Sequence, residues 1–268
     1  APLMAAIIWG FAFVAQSVGT EYVGAFTFQS TRSFLGAATL IPVILITDRR
    51  KRRIGTAVPV SAADKKHLLI GGVVCGIVLT VASLFQQVGI AYTTVGKSGF
   101  ITSMYLVLVP ILGIFLHKRV PIKIWGCVTV AAVGLYYLSI SDSFLLSRGD
   151  TLTIICAFCF ALHILCVDHF VAGADGVKIS FIQLFVSGVI SGILMLIFDH
   201  PTMASIGAAM IPILYAGILS SGVGYTLQIV GQKYSTPTAA ALLMSLESVF
   251  SVAGGILLLS QVPTLREF

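Results

Sequence analysis

Charge is what this chain has least of. Only 10% of its 268 residues are Asp, Glu, Lys or Arg, against 57% apolar, and its mean hydropathy is +1.03. A soluble domain carries about 25% charged residues. This composition excludes an ordinary aqueous globule and reads as an integral membrane protein. The apolar/polar alternation of an outer-membrane barrel is also missing. The apolar runs are continuous and about 20 residues long, the length of a membrane-spanning helix. No Walker loop is present, so ATP is not expected to drive the protein directly, and HExxH, paired-aspartate and nucleophile-elbow patterns are absent. The expectation is a protein that is not an enzyme and carries no cofactor or metal. The five cysteines (Cys75, Cys127, Cys156, Cys159, Cys166) all lie in apolar runs, and the one CxxC, Cys156 and Cys159, has no second pair. They read as small core residues. No lysine lies deep in an apolar run, which disfavours phosphate-bearing substrates. The chain opens directly into an apolar run at Ala1 without a signal-peptide pattern, and further residues are expected before it.

What is present is a series of nine apolar spans, at about 2–18, 25–47, 67–91, 97–117, 121–140, 150–170, 178–198, 205–231 and 237–259. The net charge of +6 is no nucleic-acid signature, because the cations flank the spans. Twelve fall on one side: five at 49–53, then Lys65, Lys66, Lys118, Arg119, Lys123, Lys178 and Lys233. Three fall on the other, Lys97, Arg148 and Arg266, while Arg32 lies inside the second span. The basic side is therefore expected to be cytoplasmic, with the N-terminus on it.

The chain also repeats itself. Shifted by 142 residues, Gln86, Val88, Gly89, Tyr92 and Thr94 fall on Gln228, Val230, Gly231, Tyr234 and Thr236. Ser103, Val107, Gly113, Ile114 and Leu116 fall on Ser245, Val249, Gly255, Ile256 and Leu258, and Val120-Pro121 on Val262-Pro263. These are 12 identities in the 36 gapless positions 86–121. The offset carries the third span to the eighth and the fourth to the ninth. One repeat is thus five spans, an odd number, and the second copy must cross the membrane in the opposite sense. Inverted repeats of this kind mark secondary transporters. The expected fold is an all-α integral membrane protein of two inverted-topology five-helix repeats, at 1–141 and 149–268, with the tenth helix missing from this chain.

Four stretches carry a family resemblance: AAIIWGFAFVAQ, LFQQVGIAYTTVGKSGFITSMYLVLVPILGIFL, FALHILCVDHF and SGVGYTLQIVGQKYSTPTAAALLMSLESVF. Together the chain resembles the EamA type of the drug/metabolite transporter superfamily over nearly its whole length. That resemblance implies ten helices in two inverted repeats around a central cavity. It also implies export of small metabolites across a bacterial inner membrane. Members often carry proline after the acidic position of the ninth helix; here Ser248 follows Glu247.

Glu247, about ten residues into the ninth span, is the leading candidate, because a carboxylate facing lipid is costly and usually turns inward to a partner or a function. It either couples a proton, holds a substrate ammonium, or is a buried structural acid. Its repeat counterpart is Tyr105, which makes the two halves chemically unequal. Arg32 either binds a substrate carboxylate, snorkels to the interface, or pairs with Glu247. His163 is either a cavity residue or a satisfied core histidine. Gln86 and Gln228 are repeat-equivalent and need polar partners. Gln16, Trp9, Thr102, Ser103 and Tyr225 are further cavity candidates. Two GxxxG pairs, Gly72/Gly76 and Gly188/Gly192, allow close helix approach within the bundle or in a dimer.

The function expected from these features is secondary active export of small organic metabolites, such as amino acids or related amines. The two repeats would rock around a midplane site, with the proton as candidate coupling ion. A channel or lipid scramblase is the alternative, and an intramembrane enzyme a third reading. The expected partners are a small-molecule substrate and the lipid bilayer, not nucleic acid, with the chain a monomer or weak homodimer.

Overall fold

A computed structural model of the chain describes residues 1–55, 61–116 and 147–261, with isolated positions between 122 and 133. Eight helices among them are long and apolar enough to cross a membrane. They are α1 (Pro2–Gly19), α2 (Ala25–Arg53), α3 (Ala62–Ile90), α4 (Val95–Phe115), α5 (Arg148–Val171), α6 (Gly176–Phe198), α7 (Met210–Gln232) and α8 (Pro237–Leu259). The span expected over 121–140 falls almost wholly outside the described residues, as do Pro121, Pro263 and Lys118, Arg119, Lys123 and Arg266. The eighth expected span begins later than 205, because residues Met203–Ala208 form a separate short helix.

Local chemistry sets the helix starts. Ser61 with Asp64 and Ser147 with Asp150 form capping boxes at the starts of α3 and α5. Asp175 accepts the Val177 and Lys178 amides at the start of α6. Thr94 and Thr236 cap α4 and α8 in the same way, each accepting the amide three residues on, at 3.3 Å. Pro237 then takes the first helical position, where its missing N–H costs nothing. The α2 terminus is capped from outside: Asp199, just past α6, accepts Thr27 N–H at 2.7 Å and Thr27 Oγ1 at 2.9 Å.

The two parts of the chain interleave. α2 lies antiparallel to α6, with Thr27 near Asp199 at one end and Lys51 paired to Asp175 at the other. α3 lies antiparallel to α5, with His67 Nε2 3.1 Å from the Phe170 carbonyl at one end and Gly89 against Gly149 at the other. α1 runs antiparallel to α7 and parallel to α8. α4 and α8 are antiparallel, with Gly96 facing Val252 and Gly99 facing Ser251. Both GxxxG pairs are occupied within the chain. Gly72 and Gly76 take Ile182 and Val186 of α6, and Gly188 and Gly192 take Phe34 and Ser30 of α2. Close backbone approach is what holds helices together where lipid removes the hydrophobic drive.

Three helices are interrupted near their midpoints. α4 breaks at Ser103-Met104 and α8 at Ser245-Leu246, positions 142 apart. At each break the backbone tightens to three-residue hydrogen bonds: Leu106 to Ser103 and Val107 to Met104 in α4, Ser248 to Ser245 and Val249 to Leu246 in α8. No proline makes the α8 break; Ser248 Oγ instead donates to the Ser245 carbonyl at 2.8 Å. Ser103 Oγ donates to the same carbonyl at 3.2 Å and so ties the two breaks together. α7 carries a ten-residue π-helical stretch, Tyr215–Gly224.

Candidate functional site

The interrupted helices converge on a narrow cavity of about 30 Å³. That is room for a few waters. Tyr105 and Glu247 open the second halves of α4 and α8. Thr102 and Met244 close the first halves. All four line the cavity.

The structure brings nine of the eleven sequence candidates to this cavity: Glu247, Arg32, Tyr105, Gln86, Gln228, Trp9, Gln16, Tyr225 and Thr102. Glu247 and Tyr105 face each other. They stop short of an ordinary hydrogen bond, since the Tyr105 hydroxyl and Glu247 Oε1 both lack a partner. Arg32 is 1% exposed, buried within the bundle, so its guanidinium does not snorkel out to water. It contacts the Tyr225 hydroxyl, which also contacts Ser83, while Arg32 Nε and Nη1 have no partner. The ion pair with Glu247 raised as one option for Arg32 does not form. Trp9 donates its indole N–H to the Ser220 carbonyl in the π-helical stretch at 3.2 Å, and its ring lies 5.1 Å from that of Tyr225. Gly224 makes this contact possible, because a Cβ there would lie 2.5 Å from the indole nitrogen. Gln86 reaches Thr102 at 3.5 Å, and the side-chain oxygens of Gln16 and Gln228 are without partners.

Two candidates lie elsewhere. His163 is fully buried behind Tyr225, its ring centroid 6.1 Å away, and its Nε2 donates to Gln183 Oε1 at 3.0 Å. Its position on α5 turns it toward α6, where a buried glutamine accepts its proton. Ser103 is spent on backbone, donating to the Gly99 and Ser245 carbonyls. Sequence reasoning missed the apolar wall of Phe13, Phe160, Ile164 and Met244, which carries no polar signal. It also missed a buried polar seam between α2 and α6. Gln29 Nε2 donates to Ser33 and Ser187, and Ser30 Oγ donates to the Gly188 carbonyl. The spacing Ser180, Gln183, Ser187, Ser191 marks one helical face and was a usable signal.

Among the described residues no cluster of His, Cys, Asp and Glu could hold a metal ion. The remaining charge sits at the two ends of the bundle. Of the described cations, nine of the expected twelve lie on the basic face and two of three opposite. Lys51 pairs with Asp175 at 3.0 Å and Lys178 with Asp48 at 2.8 Å on the basic face. Lys97 pairs with the fully buried Asp150 at 2.7 Å on the other. Burial alone would raise the Asp175 carboxyl, but Lys51 and the two amides of α6 outweigh it and hold the group below the usual carboxylate range.

Eight apolar spans around a narrow cavity lined by an arginine and a glutamate define a multi-pass membrane protein. The chain belongs to the EamA-like transporter family, whose profile matches residues 2–140 and 147–268. An uncharacterized transporter of Archaeoglobus fulgidus is 27% identical over 263 residues, 97% of this chain and 78% of that protein. One crystal structure superposes with a TM-score of 0.68 at 16% identity, over 98% of this chain and 91% of the other, and shows the same fold. The protein is thus a membrane transporter.

Proposed function

We propose that this protein is a secondary transporter that exports small organic metabolites, such as amino acids or related amines, by alternating access, with the proton as candidate coupling ion. The observation that carries the reading is the narrow cavity, walled by both parts of the chain, into which Arg32, Glu247 and Tyr105 turn unpartnered polar atoms. A buried guanidinium and carboxylate left only partly partnered are costly, and a bound solute supplies what each lacks. Arg32 suits a carboxylate, and Glu247 an ammonium or a proton. Trp9 and Tyr225 form an aromatic wall.

Two inverted repeats are the architecture we infer. The antiparallel pairing of α2 with α6 and of α4 with α8, the repeat-equivalent helices, supports it. So do the breaks 142 residues apart. On this reading the basic face, which also holds the start of α1 beside Gly231, is cytoplasmic in a bacterial inner membrane.

The test is solute uptake into proteoliposomes of the purified protein, with a labelled panel of amino acids, amines and organic acids. Saturable uptake that competes with unlabelled solute is expected. Uptake that rises linearly with concentration for every solute points to a channel and overturns the reading.

A further inference from the structure

One wall of the cavity carries a fixed charge and another a switchable one. Arg32 stays charged at any physiological pH. Glu247 can carry or lose a proton. They line one small space, both nearly fully buried, without forming an ion pair. The ionisable groups facing Glu247 from other helices are Tyr105 of α4, Tyr225 of α7 and Cys156 of α5. Arg32 of α2 shares the cavity, and His163 of α5 lies behind Tyr225, held by Gln183. α1 and α3 contribute Trp9, Gln16 and Gln86 to the lining, none of which ionises. Among the described lining residues Arg32 is the one cation and Glu247 the one carboxylate.

A narrow space lined by buried groups inside a bilayer strongly disfavours net charge. With Arg32 charged, the empty cavity is neutral when Glu247 is ionised. It is also neutral when a monoanion sits at Arg32 and Glu247 holds a proton. An anion at Arg32 and a negative charge on Glu247 repel each other in so small a space, so anion and proton favour each other's binding. An organic cation leaves the cavity positive in either protonation state. A dianion leaves it negative even with Glu247 protonated. A zwitterion is balanced only with Glu247 ionised.

Resting on the transporter reading above, we infer that the preferred solute is a small organic monocarboxylate, and that one proton, carried on Glu247, crosses with each molecule in the same direction without net charge movement. The proton is taken up on the side where the carboxylate enters and released on the side where it leaves. The empty cavity returns with Glu247 ionised and balanced by Arg32. An acid made inside the cell can then leave with its own proton, down its own gradient.

The experiment uses the purified full chain in proteoliposomes with a trapped pH dye and three labelled probes: glycerate as monocarboxylate, glycine as zwitterion and choline as cation. The expected result is saturable glycerate uptake with one proton per molecule, unchanged when a potassium–valinomycin potential is imposed. Its apparent affinity should be about 10-fold weaker at pH 8 than at pH 6. Glycine should move no protons, and choline should not be carried. Glycerate uptake that is driven by the potential, or that moves no protons, overturns the inference. If choline or glycine saturates and glycerate does not, the inference fails while the transporter reading stands. If none of the wider panel saturates, both fail. Glu247→Gln imitates the protonated carboxyl, so glycerate counterflow should survive while accumulation driven by a pH gradient is lost. Loss of counterflow in a folded Glu247→Gln protein counts against the inference, and the wild-type stoichiometry decides the matter if that variant does not fold.

Discussion

Gly10 offers a sharp test of how the cavity wall is held. It lies on α1 beside Trp9, where α1 runs against the second half of α8. A Cβ added there would lie 2.2 Å from Phe250 Cβ and 2.8 and 2.9 Å from the Phe250 backbone carbon and Cα. Because two of these atoms are backbone, rotating a side chain relieves nothing. To reach an ordinary 3.4 Å contact the two helices must part by roughly 3.4 − 2.2 = 1.2 Å along that direction. Overpacking of this kind costs about 1–3 kcal/mol, and a backbone clash belongs at the upper end. Gly10→Ala should therefore lower the apparent melting temperature in detergent by several degrees, about 5 °C. It should also weaken solute binding, since α1 carries Trp9, Phe13 and Gln16 into the cavity while α8 carries Glu247. Gly207→Ala is the matched control. It lies in the short helix before α7, exposed, with nothing within 4 Å of an added Cβ, and should be neutral or slightly stabilising. Size-exclusion profiles of heated samples read both. If Gly10→Ala melts with the wild type, the close α1–α8 contact is wrong and so is the reasoning built on it.

Two further outcomes follow from the ends of the bundle. Asp150 is fully buried and accepts from Lys97, the Ser147 amide and, at 3.4 Å, Thr93. Asp150→Ala should cost about 3 kcal/mol, near the lower end for a broken buried pair because Lys97 is itself partly exposed. Lys97→Met together with Asp150→Leu should recover part of the loss in the same melting assay. Asp175 titrates below the usual carboxylate range in the folded protein, so the unfolded chain binds its proton more readily. Its stabilising contribution is complete above the unfolded value of about 3.9 and is lost as pH falls through the lower folded value. Melting temperature followed downward from pH 5 should fall less steeply for Asp175→Asn than for wild type.

The spans were legible because a continuous apolar run has one solution in lipid, and Thr236-Pro237 announced the start of α8 in its own residues. The self-similarity at 142 residues rests on residues that apolar helices rarely share by chance, such as Gln86 with Gln228 and Tyr92 with Tyr234. Glu247, Arg32 and the glutamines were legible because a polar group in a membrane must find a use or a partner. The interruptions of α4, α7 and α8 were not. Pro110 lies within the second half of α4, away from its break, and the α8 break has no proline. Each interruption is decided by what packs beside it: the Ser103–Ser245 bond between breaks, and Trp9 on the π-helical carbonyl of Ser220. His163 was left open between cavity and core for the same reason. Nothing in its own span shows that Gln183, twenty residues on, waits to accept its proton.

The interleaving of the helices has a consequence for how the protein is made. The chain leaves the ribosome from its N-terminus, so α1 to α4 enter the bilayer before the helices that satisfy them exist. Gln29 waits for Ser187, Ser30 for Gly188, the α2 terminus for Asp199, and Lys97 for Asp150. The first half therefore passes through a stage in which its polar side chains meet lipid, water or the insertion machinery. The seam can close only once α6 has been made and packs against α2.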